Sequence, residues 1–326
     1  GDTCYDGYPL IEHWNGQSWQ VMPGISSVPQ DSALFGVAAI SKDDAWAVGA
    51  VNGTIHQPLI EHWNGQSWQV VNSPLLPIVS MLKSVSMLSH DDVWAVGATQ
   101  DGLPLVEHWD GQSWQVVTVP VGSNPGYDTG SSLTSIQALS PRNIYISGQN
   151  WLEHWDGFTW QIMEHPVTGV SSLSVLASDE IWASSSEYIL PYSKPDLMHM
   201  AHWNGQHWEF FSLPVDDGQT YHVSSILAIH DDDVWIVDHS AYTNESEHSH
   251  LTLIGHWNGQ TWQQIPVPNS SLGGTALASL AASSSSDVWA VGSMYEPPSQ
   301  SQRCPHHAII EHWNGTNWQM VASPNL

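Results

Sequence analysis

The side chains in this sequence that could do chemistry are mainly imidazoles and carboxylates. His239, Glu245, Glu247, His248 and His250 lie close together, and His306 and His307 fall in the corresponding stretch one repeat later. Nitrogen and carboxylate donors at such spacing suit Zn²⁺ or Cu²⁺. No tight pair such as His-Glu-x-x-His accompanies them, so solvated loop histidines are the plainer reading. Asp-Asp pairs recur at Asp43-Asp44 and Asp91-Asp92. They are candidate Ca²⁺ ligands, but two carboxylates per turn need carbonyls and waters to complete six to eight oxygens. No cofactor is required by any motif present.

Catalytic constellations are scarce. There is no Gly-x-Ser-x-Gly nucleophile elbow. Only two arginines exist, Arg142 and Arg303, too few for a sialidase-type arginine cluster. Asp156-Gly157-Phe158-Thr159-Trp160 lacks the spacing of an Asp-box. A radical copper site needs a cysteine joined to a tyrosine, and both cysteines sit in terminal loops. A pair of carboxylates for glycoside hydrolysis depends on their separation in space, so a hydrolase is kept as an alternative. The expectation is a protein that is not an enzyme.

Charge narrows the partners. Five Lys and Arg stand against 32 Asp and Glu, a formal net charge of −27. The cations are Lys42, Lys83, Lys194, Arg142 and Arg303, and they are scattered. Nucleic acid and anionic membrane surfaces need clustered cations, so neither is an expected partner. No run of 18 apolar residues exists to insert into a bilayer.

The elements that position these groups come from an internal repeat. His-Trp-(Asn/Asp)-Gly-x-x-Trp begins at His13, His62, His108, His154, His202, His256 and His312. A second phrase, Asp-Val-Trp-Ala-Val-Gly in its best copies, centres on Trp46, Trp94, Tyr145, Trp182, Trp235 and Trp289. Of the 20 tryptophans, only Trp151 lies outside these phrases. Residues 82–119 read as four strands: an alternating run from Leu82, the compact Val93–Gly97, then Pro104–Trp109 and Trp114–Val119. Asp110-Gly111 predicts a two-residue hairpin between the last two.

Four-stranded units repeating every 46–56 residues predict an all-β propeller. The units resemble kelch-type or galactose-oxidase-type blades of bacterial β-propeller repeat proteins. Val93–Gly97 and Glu107–Trp114 carry the resemblance, with one glycine where kelch blades have two and Trp where they have Tyr. It implies fold and leaves function open. Trp14, Trp63, Trp109, Trp155, Trp203, Trp257 and Trp313 are read as structural, filling wedges between blades. The histidines before them are expected to hydrogen-bond between blades. Glu107 and His108 are neighbours in a strand and so point to opposite faces.

The expected domain is single, 1–326. It holds a half-blade at 1–24 and blades near 32–74, 80–120, 130–166, 170–214, 222–268 and 275–324. Seven positions are favoured, six complete blades plus the N-terminal half-blade; the alternative is a six-bladed propeller with an extra hairpin. The half-blade needs inner strands, from another chain or from residues outside this sequence. An open strand edge invites pairing between molecules. Cys4 and Cys304 occupy equivalent loops of the two terminal units, so a disulfide clasp between them is expected; the alternative is two unrelated thiols. A disulfide implies an oxidising, extracellular or cell-surface setting. Asn52, Asn244, Asn269 and Asn314 open glycosylation sequons.

Loops between strands two and three vary most in length. That marks their face of the propeller for binding. Trp151, Tyr188, Tyr192, Tyr242 and Tyr295 lie in or near these loops, as candidate contacts for a ligand or partner. The expected function is a secreted structural protein that self-associates head to tail, building filaments through its half-blade. The alternative is a monomeric lectin using loop aromatics on extracellular glycans.

Overall fold

The computed structural model describes residues 9–25, 28–29, 32–51, 57–74, 76, 78–120, 132–148, 151–163, 170–185, 200–211, 221–240, 252–267, 274–295 and 306–324. These form an all-β, six-bladed propeller. Each blade is a four-stranded antiparallel sheet in sequence order. The strands span 33–70 in blade 1, 80–116 in blade 2, 133–162 in blade 3, 170–211 in blade 4, 221–265 in blade 5 and 274–320 in blade 6. A separate two-stranded hairpin precedes them, with strands β1 (Glu12–Trp14) and β2 (Trp19–Val21). No helix among the described residues is long and apolar enough to cross a membrane.

Blade 1 shows how sequence makes a blade. Its strands are β3 (Ala33–Ser41), β4 (Asp44–Val51), β5 (Gln57–Trp63) and β6 (Trp68–Val70). Strand β4 is covered on both faces and carries an almost unbroken apolar run, Ala45-Trp46-Ala47-Val48. The glycine that ends this run has a steric cause. A Cβ on Gly49 would lie 1.9 Å from the Ala33 carbonyl oxygen, and one on Gly97 would lie 2.0 Å from that of Met81. The first strand crosses the glycine this closely, with a register shift one residue further on.

The turn between strands three and four differs from the two-residue hairpin expected at Asp110-Gly111. Trp109 pairs with Trp114, so four residues lie between the strands. The Asp110 Oδ1 accepts hydrogen bonds from the Gln112 and Ser113 amides at 2.9 and 2.8 Å. The side chain replaces a backbone acceptor and widens the turn. Gly111 supplies the positive φ of 88° that follows. The fourth strand is also shorter than expected, ending at Val116.

The chain packs as two compact units, 1–13 with 21–165, and 14–20 with 166–326. In the first, Trp46, Val48 and Ile60 of blade 1 pack against Leu82, Val85 and Trp114 of blade 2. Trp94, Val96 and Val106 of blade 2 meet Ile136, Ile144 and Trp160 of blade 3 in the same way. In the second unit, Trp182 and Met200 of blade 4 pack on Ile226, Ile236 and Trp262 of blade 5. Trp235, Val237 and Ile254 of blade 5 pack on Leu280, Ala290 and Trp318 of blade 6. The second-strand tryptophan is thus roofed by two tryptophans of the next blade. Trp109 and Trp114 lie 5.1 and 5.3 Å from Trp46, and Trp313 and Trp318 lie 5.1 and 5.5 Å from Trp235.

Candidate functional site

The repeated histidines are wired within their own blades, which corrects the expectation of bonds between blades. His62 Nε2 lies 2.8 Å from Asp44 Oδ1, His108 2.9 Å from Asp92, His256 2.8 Å from Asp233 and His312 2.7 Å from Asp287. His154 meets Asn143 at 2.7 Å, and His202 Nε2 lies 2.6 Å from Glu180 Oε1 as an ion-pair contact without hydrogen-bond geometry. Each imidazole also stacks on the second-strand aromatic of its blade, with centroids 4.1–4.5 Å apart. The Trp94, Trp235 and Trp289 indoles donate to the same carboxylate that holds the histidine. Strands two and three are adjacent, so one acidic residue at the start of strand two reaches both rings. Burial works to raise the Asp233 carboxyl, but bonds from His256, Ser285 and Trp235 outweigh it and pull the group below the usual range; Asp287 is pulled down first by the Ser283 hydroxyl and then by His312 and Trp289.

The tryptophans after these histidines are also tied down. The Trp63, Trp155 and Trp257 indoles donate to the carbonyls of Lys42, Pro141 and Asp231. Trp14 of the hairpin and Trp313 pack on the second-strand tryptophan of the preceding blade, as Trp109 does. Trp203 packs against its strand-four partner Trp208.

Blades 1 and 2 share one polar cluster. His90, from the first turn of blade 2, places Nδ1 2.9 Å from Asp44 Oδ2, while His62 holds the other oxygen. The ligand atoms of Asp44, His62 and His90 all lie within 4.8 Å of one another. Two imidazoles and a carboxylate could supply three donors to a cation such as Zn²⁺. The two hydrogen bonds already account for the arrangement, and the Asp44 bond raises the His90 pKa.

Sequence reasoning missed the glutamate beside four of the histidines, His62, His108, His154 and His312. Glu61, Glu107, Glu153 and Glu311 are at most 3% exposed. Burial pushes Glu107, Glu153 and Glu311 up to about 7 and raises Glu61 as well. Glu107 Oε1 accepts a bond from Ser73 Oγ of blade 1 at 2.9 Å, whereas both oxygens of Glu311 lack a partner among the described residues. The signal was the alternation of strand three. If the histidine stays within its blade, the glutamate must face a neighbour.

Most predicted site residues fall elsewhere. Cys4, Cys304, Tyr188, Tyr192, Tyr242, His248, His250, Asn52, Asn244 and Asn269 lie outside the described residues. Trp151, His239, Tyr295, His306 and His307 lie in strands whose backbone is described there but whose side chains are not. Asn314 is described. Its Oδ1 accepts from the Thr316 and Asn317 amides, as in the other turns.

Two valines, one in each compact unit, are more exposed than their counterparts in the other blades. Val37 of blade 1 is 69% exposed, whereas its register equivalents Val85, Ile136, Leu173, Ile226 and Leu280 are 3–9% exposed. Val291 of blade 6 is 37% exposed, while Val48, Val96, Ser147, Ser184 and Val237 at the same position are 0%. Trp14 and Trp19 cover Trp289 at 5.2 and 5.5 Å, and among the described residues the sheet of the hairpin holds two strands.

Comparison with solved structures finds propellers. YCF48 bound to a D1 peptide matches with a TM-score of 0.58 at 17% identity, covering 89% of this chain and 82% of that one. A structure of the RRP9 WD40 repeats matches at 0.54 and 14% identity, covering 82% and 74%. A variant of the Aleuria aurantia lectin in complex with Fucα1-6GlcNAc matches at 0.50 and 14% identity, covering 89% and 94%. No family model matches the chain, and no curated protein does. These likenesses establish the propeller; they do not single out the kelch type.

Proposed function

We propose that this chain is a non-enzymatic, extracellular binding propeller that takes up β-strands from a second copy of itself beside its hairpin. The observation that carries the reading is the exposure of Val37, an apolar side chain at a position buried in the other five blades. In each complete blade strand three lies between two strands, while β1 pairs with β2 alone in its sheet. Strand addition supplies main-chain hydrogen bonds and covers apolar side chains together. The kelch-like phrasing of the blades is proposed as kinship of architecture alone. Among the structural neighbours, the YCF48 structure holds a peptide, so a propeller of this shape can serve protein recognition.

The test is the assembly state of the chain under non-reducing conditions, by light scattering and electron microscopy. Assemblies that dissociate in Val37→Asp, with the melting temperature unchanged, support the proposal. A monomer at all concentrations overturns it. Glycan binding is the second reading, favoured by the likeness to a fucose-binding lectin structure. A monomer whose tryptophan fluorescence is quenched by fucosides would establish that reading instead.

A further inference from the structure

A second feature of the hairpin is independent of strand uptake. A cavity of about 460 Å³ lies between the base of the hairpin and blade 1. Its walls include Leu10, Ile11, Val21, Met22 and Ile25, and its only charged lining residue is Glu61. The volume is within the range, roughly 300–1,000 Å³, that small-molecule sites occupy.

The cavity follows from one residue. In blade 2, Glu107 is answered by Ser73, five residues after Trp68 of the preceding blade. The hairpin keeps the same register: Met22 N donates to Ile11 O as Val71 N donates to Ile60 O. Five residues after Trp19 stands Gly24, where a Cβ would meet nothing within 4 Å. At the same position the other described units have Val119, Val267 and Ser323. Gly24 therefore removes both a hydroxyl donor and the volume of a side chain. Glu61 is left 3% exposed on the wall of an apolar space.

We infer that this cavity is a binding site for a small cation with an aliphatic body, a primary alkylammonium, whose nitrogen pairs with Glu61. A desolvated carboxylate is best satisfied by a charged donor. The apolar walls suit a hydrocarbon chain, and the chain's net charge of −27 attracts cations and repels anions.

The experiment is calorimetric titration of the whole chain with n-hexylammonium, n-hexanol and hexanoate. Saturable binding of the ammonium, at least about tenfold tighter than the alcohol and with no binding of hexanoate, is expected. Glu61→Gln should remove the preference for the cation. Gly24→Ser should weaken ammonium binding by about tenfold or more, because its hydroxyl would answer Glu61 as Ser73 answers Glu107. If Glu61→Gln does not fold, judged by its unfolding curve, Gly24→Ser and the three ligands on the unaltered chain still decide. Equal binding of ammonium and alcohol overturns the inference. So does no binding at all, or ammonium binding that both variants retain.

Discussion

A carboxylate buried without a full set of partners is held in its protonated form at mildly acidic pH, and this chain repeats that arrangement along its blades. Burial pushes Glu107, Glu153 and Glu311 up to about 7 from the ordinary 4.5. Between those values the folded chain keeps protons that the unfolded chain has released. Stability is therefore full below about pH 4.5 on this account, falls as pH rises through 7, and levels off above it. His90, raised by Asp44, acts in the same direction, while His154, lowered by burial, opposes it below the ordinary histidine value of 6.5. Urea unfolding should give higher stability at pH 5.5 than at pH 8. Glu107→Gln should flatten the slope, since one of the raised groups is gone. An unchanged slope in that variant would refute the assignment. The wired histidines give a second prediction at this scale. His256→Ala loses the bond to Asp233 and the stack on Trp235. It should cost about 1–3 kcal/mol, whereas the exposed His207, outside the module, should cost under about 0.5 kcal/mol when changed to Ala.

At the scale of the element, the second strand is the most constrained. Gly97→Ala would place a methyl group 2.0 Å from a backbone oxygen, so the first strand must move. The expected loss is about 2–4 kcal/mol, read as a lower melting temperature. Gly24→Ala, where the Cβ meets open space, should be nearly neutral or slightly stabilising. This contrast shows what the sequence made legible. The alternating and continuous apolar runs located all four strands of a blade, because burial on one or both faces dictates those patterns. Asp110-Gly111 was read as a tighter turn than it is, because its geometry depends on a side-chain oxygen that only coordinates place. Glu61 and Glu107 were left unassigned for a related reason. Alternation says that they turn away from the histidine, and only the packing of neighbouring blades shows what they turn toward.

For the molecule as a whole, acidity and repetition have separate consequences. With 32 acidic against 5 basic residues, the native state carries strong self-repulsion. Raising salt at pH 8 from low ionic strength should increase the melting temperature, because screening lengths shrink to about 10 Å at 0.1 M. A melting temperature that falls with salt would mean that local ion pairs dominate. Repetition matters differently. The Asp–His–Trp clasp closes inside blades 1, 2, 5 and 6, as with Asp233, His256 and Trp235. A gene segment encoding one blade therefore carries its own internal wiring. Copying or deleting that segment leaves each strand-three imidazole with its own partner, and only His90 of blade 2, among the described residues, would lose a bond to a neighbour, at Asp44 of blade 1. What must be renegotiated is the greasy seam and the glutamate beside it, as at Glu107 and Ser73. Such a chain can change its number of blades by unequal recombination, and the scars of that history should collect at the seams.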